Sequence, residues 1–308
     1  MPASTYRNRR AWTLENSQLR LTVLAEGGHI AELFHKPTKI NPLWTPPWPS
    51  IEPSTYSQAK HPEYGADHES KLLSGIAGHN LCLDFFGVPS PEEHAAGLSV
   101  HGEGSVLPYE SPSEGVYTCH LKHSHLRFRR EVKLDGAKVH FTEDVENLLA
   151  IDRDVPWQEH VTLGPPFVER GITRIEAPVL RSARLDGAEM QWTDRTYPKL
   201  EKSSNFHTNL LSAGEIEIRN EHLQLALRYT FDVKAFPWLG VWEENCGRAT
   251  PPWNNRTITW GIEFGSSPYP ESRAKRAARG HMWNTPTATW LPALSKRRIQ
   301  YTAELRQL

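Results

Sequence analysis

The strongest constraint on the fold is an alternation of apolar and polar residues that recurs along the chain with a period of two. Leu19, Leu21 and Val23 show it clearly. This is the period of a half-buried strand. Helical patterns are confined to residues 92–97 and 272–279. Many strands with almost no helix between them predict an all-β fold, a large antiparallel β-sandwich with very little helix. Further predicted strands are 115–122, 126–132, 139–145, 155–163, 215–219, 223–231, 238–243, 257–264 and 298–305.

Composition limits the class of protein. Of the 308 residues, 38% are hydrophobic and 23% charged, which excludes a disordered chain. No internal repeat or linker divides the sequence, so we predict a single domain over residues 1–308. The net charge of −1 provides no field to recruit nucleic acid or a membrane. Three widely spaced cysteines and the lack of an apolar targeting segment lead us to expect a cytoplasmic protein.

One long segment, residues 41–68, is rich in proline and aromatic residues, among them Trp44 and Trp48. Proline excludes it from the centre of a sheet. Long loops in compact domains are usually functional, so we expect it to close one wall of a binding cleft. Tryptophan faces suit the C–H faces of sugars. The alternative is that these tryptophans anchor the core.

Four short segments place an ionisable residue beside Gly, Pro or Trp near a strand end. A lone histidine in a strand is more often structural than catalytic. A glutamate in an apolar strand is harder to dismiss, because burying a carboxylate costs several kcal/mol unless it is paired or used. The four segments are 75–82 (GIAGHNLC), 100–105 (VHGEGS), 157–164 (WQEHVTLG) and 260–270 (WGIEFGSSPYP).

In order and surroundings, these segments resemble motifs of the aldose 1-epimerase (galactose mutarotase) superfamily. The opening 24–33 (LAEGGHIAEL), followed by NPLW at 41–44, is similar to the start of those proteins. The resemblance extends over residues 14–305. It implies the galactose mutarotase-like supersandwich and an isomerase that interconverts the anomers of a small-molecule carbohydrate.

The resemblance also implies roles for single residues. Glu263 matches the general base, His160 the general acid, and His101 a second histidine that contacts the sugar. A carboxylate and an imidazolium suffice for ring opening and closure, so we expect neither a metal nor a cofactor. Other residues expected to contact substrate are His79, Asn80, Glu103, Trp157 and Trp242.

The sequence departs from the family pattern at several positions. His79 stands where the family has a sugar-binding arginine, and Arg170 or Lys199 could replace that arginine. The family's hydroxyl-binding aspartate has two candidates, Asp194 and Asp232. Because a histidine at residue 79 offers fewer fixed donors than an arginine, we expect little preference between gluco and galacto forms. Because Glu103 would repel a phosphate, we expect a neutral sugar.

Alternatives stay open at this point. The same scaffold could serve a non-catalytic carbohydrate-binding protein. A metal-dependent enzyme would use His79, His101, His160 and a glutamate. Glu243 or Glu244 is the second candidate for the catalytic carboxylate. We interpret His120, His123 and His125 as a solvated edge and the basic run 273–279 as a solvated helical face. The sequence leaves the oligomeric state open, as a monomer or a homodimer.

Overall fold

A computed structural model describes residues 4–193, 195–199 and 202–308. Every segment predicted as a strand forms one, and a tight turn at Gly136 and Ala137 joins two of them. The strands are β1 Ser4–Tyr6, β2 Arg9–Glu15, β3 Leu19–Leu24, β4 Ile30–His35, β5 His79–Leu83, β6 Glu110–Ser113, β7 Val116–Leu121, β8 Leu126–Asp135, β9 Lys138–Asn147, β10 Arg153–Val155, β11 Trp157–Leu163, β12 Arg174–Glu176, β13 Val179–Arg184, β14 Glu189–Met190, β15 Arg195–Thr196, β16 Ser203–Leu211, β17 Glu215–Asn220, β18 Leu225–Phe231, β19 Trp238–Asn245, β20 Ile258–Gly265, β21 His281–Met282, β22 Thr285–Pro286, β23 Thr289–Leu291 and β24 Lys296–Gln307.

Helices are short. They are α1 Ser70–Leu73, α2 Pro91–Ala95 and α3 Arg273–Arg279, with 3₁₀ turns at Pro53–Thr55, Pro62–Tyr64 and Glu103–Ser105. The two predicted helices are α2 and α3, although α3 is not a fully solvated face because Arg276 is buried and Arg273 pairs with Asp84 at 2.9 Å. Within the described residues, no helix has the length and apolar character needed to cross a bilayer.

Two large antiparallel sheets face each other. The first has eleven strands in the order β1-β2-β3-β4-β5-β11-β20-β19-β16-β13-β14. The second has nine, in the order β15-β12-β17-β18-β24-β9-β8-β7-β6. Their inner faces share one hydrophobic core, in which Phe231 stacks on Phe264 and Phe141 on Tyr301, with ring centroids 4.5 and 4.6 Å apart. The predicted β-sandwich is confirmed.

A charged cluster lies in the middle of this core and joins the two sheets. Arg130 and Glu143 come from the nine-stranded sheet, and Arg130 Nε donates to Glu143 Oε1 over 2.6 Å. Glu159 and His79 come from the eleven-stranded sheet, where His79 Nε2 lies 2.8 Å from Glu159 Oε2. Arg130 Nη2 reaches the same oxygen at 2.9 Å, and the Tyr301 hydroxyl lies within hydrogen-bond distance of both carboxyl groups, at 2.8 and 3.1 Å. These bonds satisfy groups that would otherwise be costly to bury.

The cluster has two carboxyl groups for one guanidinium. Burial, together with the neighbouring Glu159 carboxylate, raises the pKa of Glu143 to about 7 against the favourable charge of Arg130. The same carboxyl has a pKa of 4.5 when unperturbed. Between these values the folded chain binds a proton that the unfolded chain does not. This contribution to stability is therefore complete below about pH 4.5 and is lost as the pH rises through 7.

The strand β11 is buried on both of its faces. One face meets the core, and the other is covered by loops that form a second apolar cluster, which includes Trp44, Trp48, Tyr64 and Trp253. Trp44 stacks on Trp253 with ring planes 3° apart, and Trp48 meets Trp253 edge-on. This second apolar cluster therefore covers the outer face of the eleven-stranded sheet, and a site can form between the cluster and the sheet.

Candidate functional site

Strands β5, β11, β20 and β19 place one row of side chains on the outer face of the large sheet. The antiparallel register sets Asn80 opposite His160, His160 opposite Glu263, and Glu263 opposite Gly240. Residues directly opposite one another in antiparallel strands point to the same face. The register therefore brings together His160 and Glu263, the residues matched to acid and base.

The two side chains contact each other directly. His160 Nε2 lies 3.1 Å from Glu263 Oε1, and both residues are at least 95% buried. The other ring nitrogen, Nδ1, lies 2.9 Å from Thr162 Oγ1. Because a carboxylate can only accept a hydrogen bond, His160 carries its hydrogen on Nε2 whenever Glu263 is ionised. That hydrogen faces the carboxylate.

Glycine makes room for the carboxylate. Gly261 precedes Glu263 by two residues and therefore shares its face of the sheet. A Cβ atom on Gly261 would lie 2.6 Å from Glu263 Oε1 and 3.1 Å from Trp242 Cε3. Across the ladder, a Cβ on Gly240 would lie 2.9 Å from the ring of Phe206. The two glycines thus allow Glu263, Trp242 and Phe206 to occupy their positions.

The pair lies in the wall of a cavity of about 210 Å³. Trp242 and Trp253 contribute aromatic surface, and Trp242 lies 6.1 Å from the His160 ring. Leu72 and Leu73 of α1 add apolar wall. The cavity thus combines flat apolar faces with the His160–Glu263 pair.

His101 also lines this cavity, 5.1 Å from the His160 ring between centroids. Burial, together with the charges of His160 and Arg248, holds its pKa well below the ordinary value, so the ring is neutral. Its Nδ1 accepts the backbone N–H of Gly87 at 3.3 Å. The hydrogen of the neutral ring is consequently on Nε2, where it can be donated.

Arg248 is the residue that the sequence did not reveal. It lines the cavity with its guanidinium 4.8 Å from the ring centre of Trp253 and 5.3 Å from that of Trp242. Glu69, also in the cavity wall, pairs with it at 3.0 Å. Glu244 lies 3.6 Å from its Nε. The loop after β19 therefore brings a guanidinium into the cavity wall.

Two expected substrate contacts, His79 and Trp157, lie on the wrong face of the sheet. His79 belongs to the charged cluster of the core, and burial and the charge of Arg130 lower its pKa. Trp157 is fully buried there, with Nε1 3.2 Å from Glu159 Oε1. Both predictions are wrong, because these residues have the opposite parity from Asn80 and His160 on their strands. The metal alternative that combined His79 with His101 and His160 is not supported by this geometry. Across the described ranges, no three His, Cys, Asp or Glu side chains group as a metal site.

Glu103 is also outside the cavity. Its buried carboxylate accepts the backbone N–H groups of His123 and Ser124, at 3.2 and 2.8 Å. Asn80 lies on the site face, fully buried beside His160, but does not line the cavity. Its Oδ1 makes no hydrogen bond with any described residue. The prediction of a substrate contact is corrected for Glu103 and remains a prediction for Asn80.

Residues 41–68 do not line the cavity. Trp44 and Trp48 pack behind Trp253, and Tyr64 joins them, so the segment supports the wall from outside. These tryptophans therefore act as anchors of an apolar cluster, the alternative interpretation.

The remaining candidates lie elsewhere. Arg170 bonds Asn245 at 2.8 Å, Lys199 is exposed, and exposed Asp232 accepts the backbone N–H of Lys234. Asp194 lies outside the described residues. Glu244 binds the backbone N–H groups of Gly247 and Arg248, whereas Glu243 bonds Ser203 and faces a different cavity. His120, His123 and His125 are exposed, as expected.

No protein-family model matches the sequence, and no curated protein matches it either. Solved structures do resemble the fold. A protein of Klebsiella pneumoniae subsp. pneumoniae, provisionally named an aldose 1-epimerase, aligns with a TM-score of 0.72 at 15% identity over 97% of this chain and 79% of its own. Slr1438 of Synechocystis sp. PCC 6803 gives 0.69 at 13% identity over the whole of both chains. A galactose mutarotase related enzyme of Lactobacillus acidophilus gives 0.64 at 12% identity over 96% and 97%. The chain has the galactose mutarotase-like sandwich fold, and at these identities the likeness shows the fold alone.

Proposed function

We propose that this protein is an isomerase of the aldose 1-epimerase type, which interconverts the anomers of a neutral sugar. The observation that carries the proposal is the direct contact of 3.1 Å between His160 and Glu263 in the wall of a cavity. An acid and a base side by side can reach two oxygens bonded to the same carbon. The names of the similar structures, aldose 1-epimerase and galactose mutarotase related enzyme, support the same reaction.

The chemistry needs two proton transfers. Glu263, as the carboxylate, accepts the proton of the C1 hydroxyl, while His160, as the imidazolium, donates its Nε2 proton to the ring oxygen and is left as neutral imidazole. The bond from C1 to the ring oxygen breaks and the C1 carbonyl forms. Rotation about C1–C2 turns the other face of the aldehyde toward the oxygen, and the reverse transfers close the ring. Both residues return to their starting states, so the cycle balances without a cofactor.

The other cavity residues suit a sugar. The faces of Trp242 and Trp253 can stack on C–H groups, and the Nε2–H of His101 can donate to an oxygen near His160. Arg248 presents a planar set of donors, held in place by two aromatic rings and Glu69. Arg248 therefore takes the part that the sequence assigned to residue 79.

The expectation of a neutral sugar now rests on different residues. Glu103 is not in the cavity, but Glu69 and Glu263 are, and Arg248 is already paired with Glu69 and Glu244. A phosphate would meet carboxylates and would have to compete with them for the guanidinium. We also infer a cytoplasmic protein, since Cys82, Cys119 and Cys246 are all free, as is usual in a reducing compartment.

An anomerisation assay tests this proposal. Freshly dissolved single anomers of a panel of aldoses, each with its 6-phosphate where one exists, are followed by NMR with and without protein. The proposal predicts that the protein accelerates exchange of at least one neutral aldose. For the phosphate of that aldose, the acceleration relative to the protein-free rate should be smaller. Saturable binding of a sugar with no acceleration would instead favour the non-catalytic carbohydrate-binding protein.

A further inference from the structure

Glu103 is a buried carboxylate with an unusual set of partners. It is 2% exposed, and no described lysine, arginine or histidine forms an ion pair with it. Instead, the backbone N–H groups of His123 and Ser124 donate to its two oxygens. These two residues form the turn between β7 and β8. A carboxylate buried without a cation is costly unless backbone donors satisfy it, so this glutamate fixes one loop against another.

The loop that Glu103 fixes carries His101 in a constrained conformation. His101 has φ of 62° and Gly102 φ of 87°, and the left-handed region is unfavourable for histidine. A Cβ on Gly102 would lie 2.1 Å from the carbonyl oxygen of Leu83, so the loop presses closely against β5. Such a conformation persists only where surrounding bonds hold it.

Within the loop, the Ser99 and Ser105 hydroxyls donate to the Gly102 carbonyl, both at 2.9 Å, and two further sets of bonds tie the loop to its surroundings. On the side of the cavity, His101 exchanges backbone and ring hydrogen bonds with Gly87, at 3.0 and 3.3 Å, and its carbonyl accepts Leu83 N–H at 3.3 Å. On the other side, two residues along the chain, Glu103 is the anchor to the β7–β8 turn. Arg153 in turn donates to the carbonyl of Ser124 and so helps to hold this turn.

We propose that Glu103 is a positioning residue that acts through His101, holding its imidazole in the cavity wall 5.1 Å from His160. This inference rests on the proposed function, because it assigns His101 a role in binding the reacting sugar. The same turn thus presents the histidine to the cavity and the glutamate to the opposite side. The carboxylate affects the substrate only by where it keeps the imidazole.

A double-mutant cycle tests the coupling. Glu103→Gln keeps the size of the side chain but turns an N–H₂ group toward a backbone N–H, so at least one of the two bonds is lost. We expect kcat/KM for anomerisation to fall about 10-fold or more, as for a misplaced site group. In the His101→Ala background the same change should have almost no effect. Independent, multiplicative losses would show that Glu103 is merely structural and would overturn the proposal.

A second measurement does not depend on activity. The imidazole ¹⁵N signals of His101 report its tautomer and its titration. In the wild type we expect a neutral ring with hydrogen on Nε2, and in Glu103→Gln a ring that gains mobility and a more ordinary titration. Unchanged His101 signals in the mutant would refute the positioning role. If these signals change while the wild type anomerises no sugar, the proposed function fails and the positioning role stands.

Matched variants guard against general effects. Glu110→Gln makes the same chemical change at an exposed glutamate near the same turn, and it should leave the His101 signals and kcat/KM unchanged. Glu103→Asp keeps the charge but is too short to hold both donors. It should give an intermediate result, and it provides a readable variant if Glu103→Gln does not fold. An effect of Glu110→Gln as large as that of Glu103→Gln would contradict the proposal.

Discussion

Gly261→Ala should impair catalysis by displacing the carboxylate of Glu263, the proposed base, without unfolding the protein. The new Cβ would lie 2.6 Å from Glu263 Oε1, whereas ordinary contact begins at 3.4 Å. The carboxylate must therefore retreat by about 0.8 Å. Trp242, with Cε3 3.1 Å from the same Cβ, blocks one direction of retreat. A misplacement of about 1 Å can cost about 100-fold in rate, so we expect kcat to fall about 10- to 100-fold.

Stability should change in the other direction, if at all. Gly261 lies in the middle of β20 without a positive φ, and alanine there loses less conformational entropy on folding, a gain of about 0.5 to 1 kcal/mol. The nearest obstacle is the flexible end of Glu263, which can move, and Trp242 has to give way by only about 0.3 Å. Thermal unfolding should therefore show a Tm equal to or above that of the wild type.

The assay is anomer exchange by NMR on a sugar that responds to the wild type. Gly240→Ala is the matched comparison, since its Cβ would crowd the ring of Phe206 at 2.9 Å but lie 3.4 Å from the Glu263 Cβ. Its effect should fall mainly on KM, through the cavity wall. A Gly261→Ala enzyme with the kcat of the wild type would refute the claim that the exact position of this carboxylate sets the rate.

Three further predictions concern the charged cluster of the core, the second apolar cluster and Arg248. Glu143→Gln removes the carboxyl with raised pKa, so between pH 4.5 and 7 its urea unfolding free energy should decline less than that of the wild type, by about 3 kcal/mol; equal slopes would contradict this. Trp44→Ala should lower the unfolding free energy by about 3 to 5 kcal/mol in denaturant titrations, because the buried ring supports Trp253. Arg248→Lys keeps the charge but loses the planar donors, and sugar Kd by calorimetry should rise about 10-fold; an unchanged Kd would place Arg248 outside the binding surface.

The sequence predicted the fold well because the physical signal for it is local. Alternation of apolar and polar residues along β3, β8 and β9 indicates a half-buried strand wherever it occurs. Gly136 lies between the alternating segments of β8 and β9, where a tight turn is needed. The resemblance of the motifs then placed His101, His160 and Glu263 around one site. In the structure these three line one cavity, together with Trp242.

The errors come from strands that are buried on both faces. In β11 every residue is buried, so burial and hydrophobicity do not distinguish the core face from the site face. Parity still carried a signal: if His160 faces the site, Trp157 and Glu159 face the core. By the same rule only one of His79 and Asn80 can share the face of His160.

Arg248 could not have been found in this way. It follows β19 in an irregular loop, where no periodic pattern predicts the direction of a side chain. Its position depends on the rings of Trp242 and Trp253, which flank it in sequence, and on Glu69 from a distant loop. Glu103 was predicted to contact substrate because it is close to His101 in sequence. The 3₁₀ turn that begins at Glu103 points the Glu103 side chain away from the cavity, and no periodic pattern in the sequence predicts such a turn.

The central claim, that Glu263 is the base, is tested most directly by the rate of Glu263→Gln. Glutamine keeps the shape and a hydrogen-bonding partner for His160 but loses basicity. For a responsive sugar, kcat should fall about 10²- to 10⁴-fold, the usual worth of general-base catalysis, while the Kd of the sugar stays close to that of the wild type. Anomer exchange at the wild-type rate in this variant would contradict the assignment of the base.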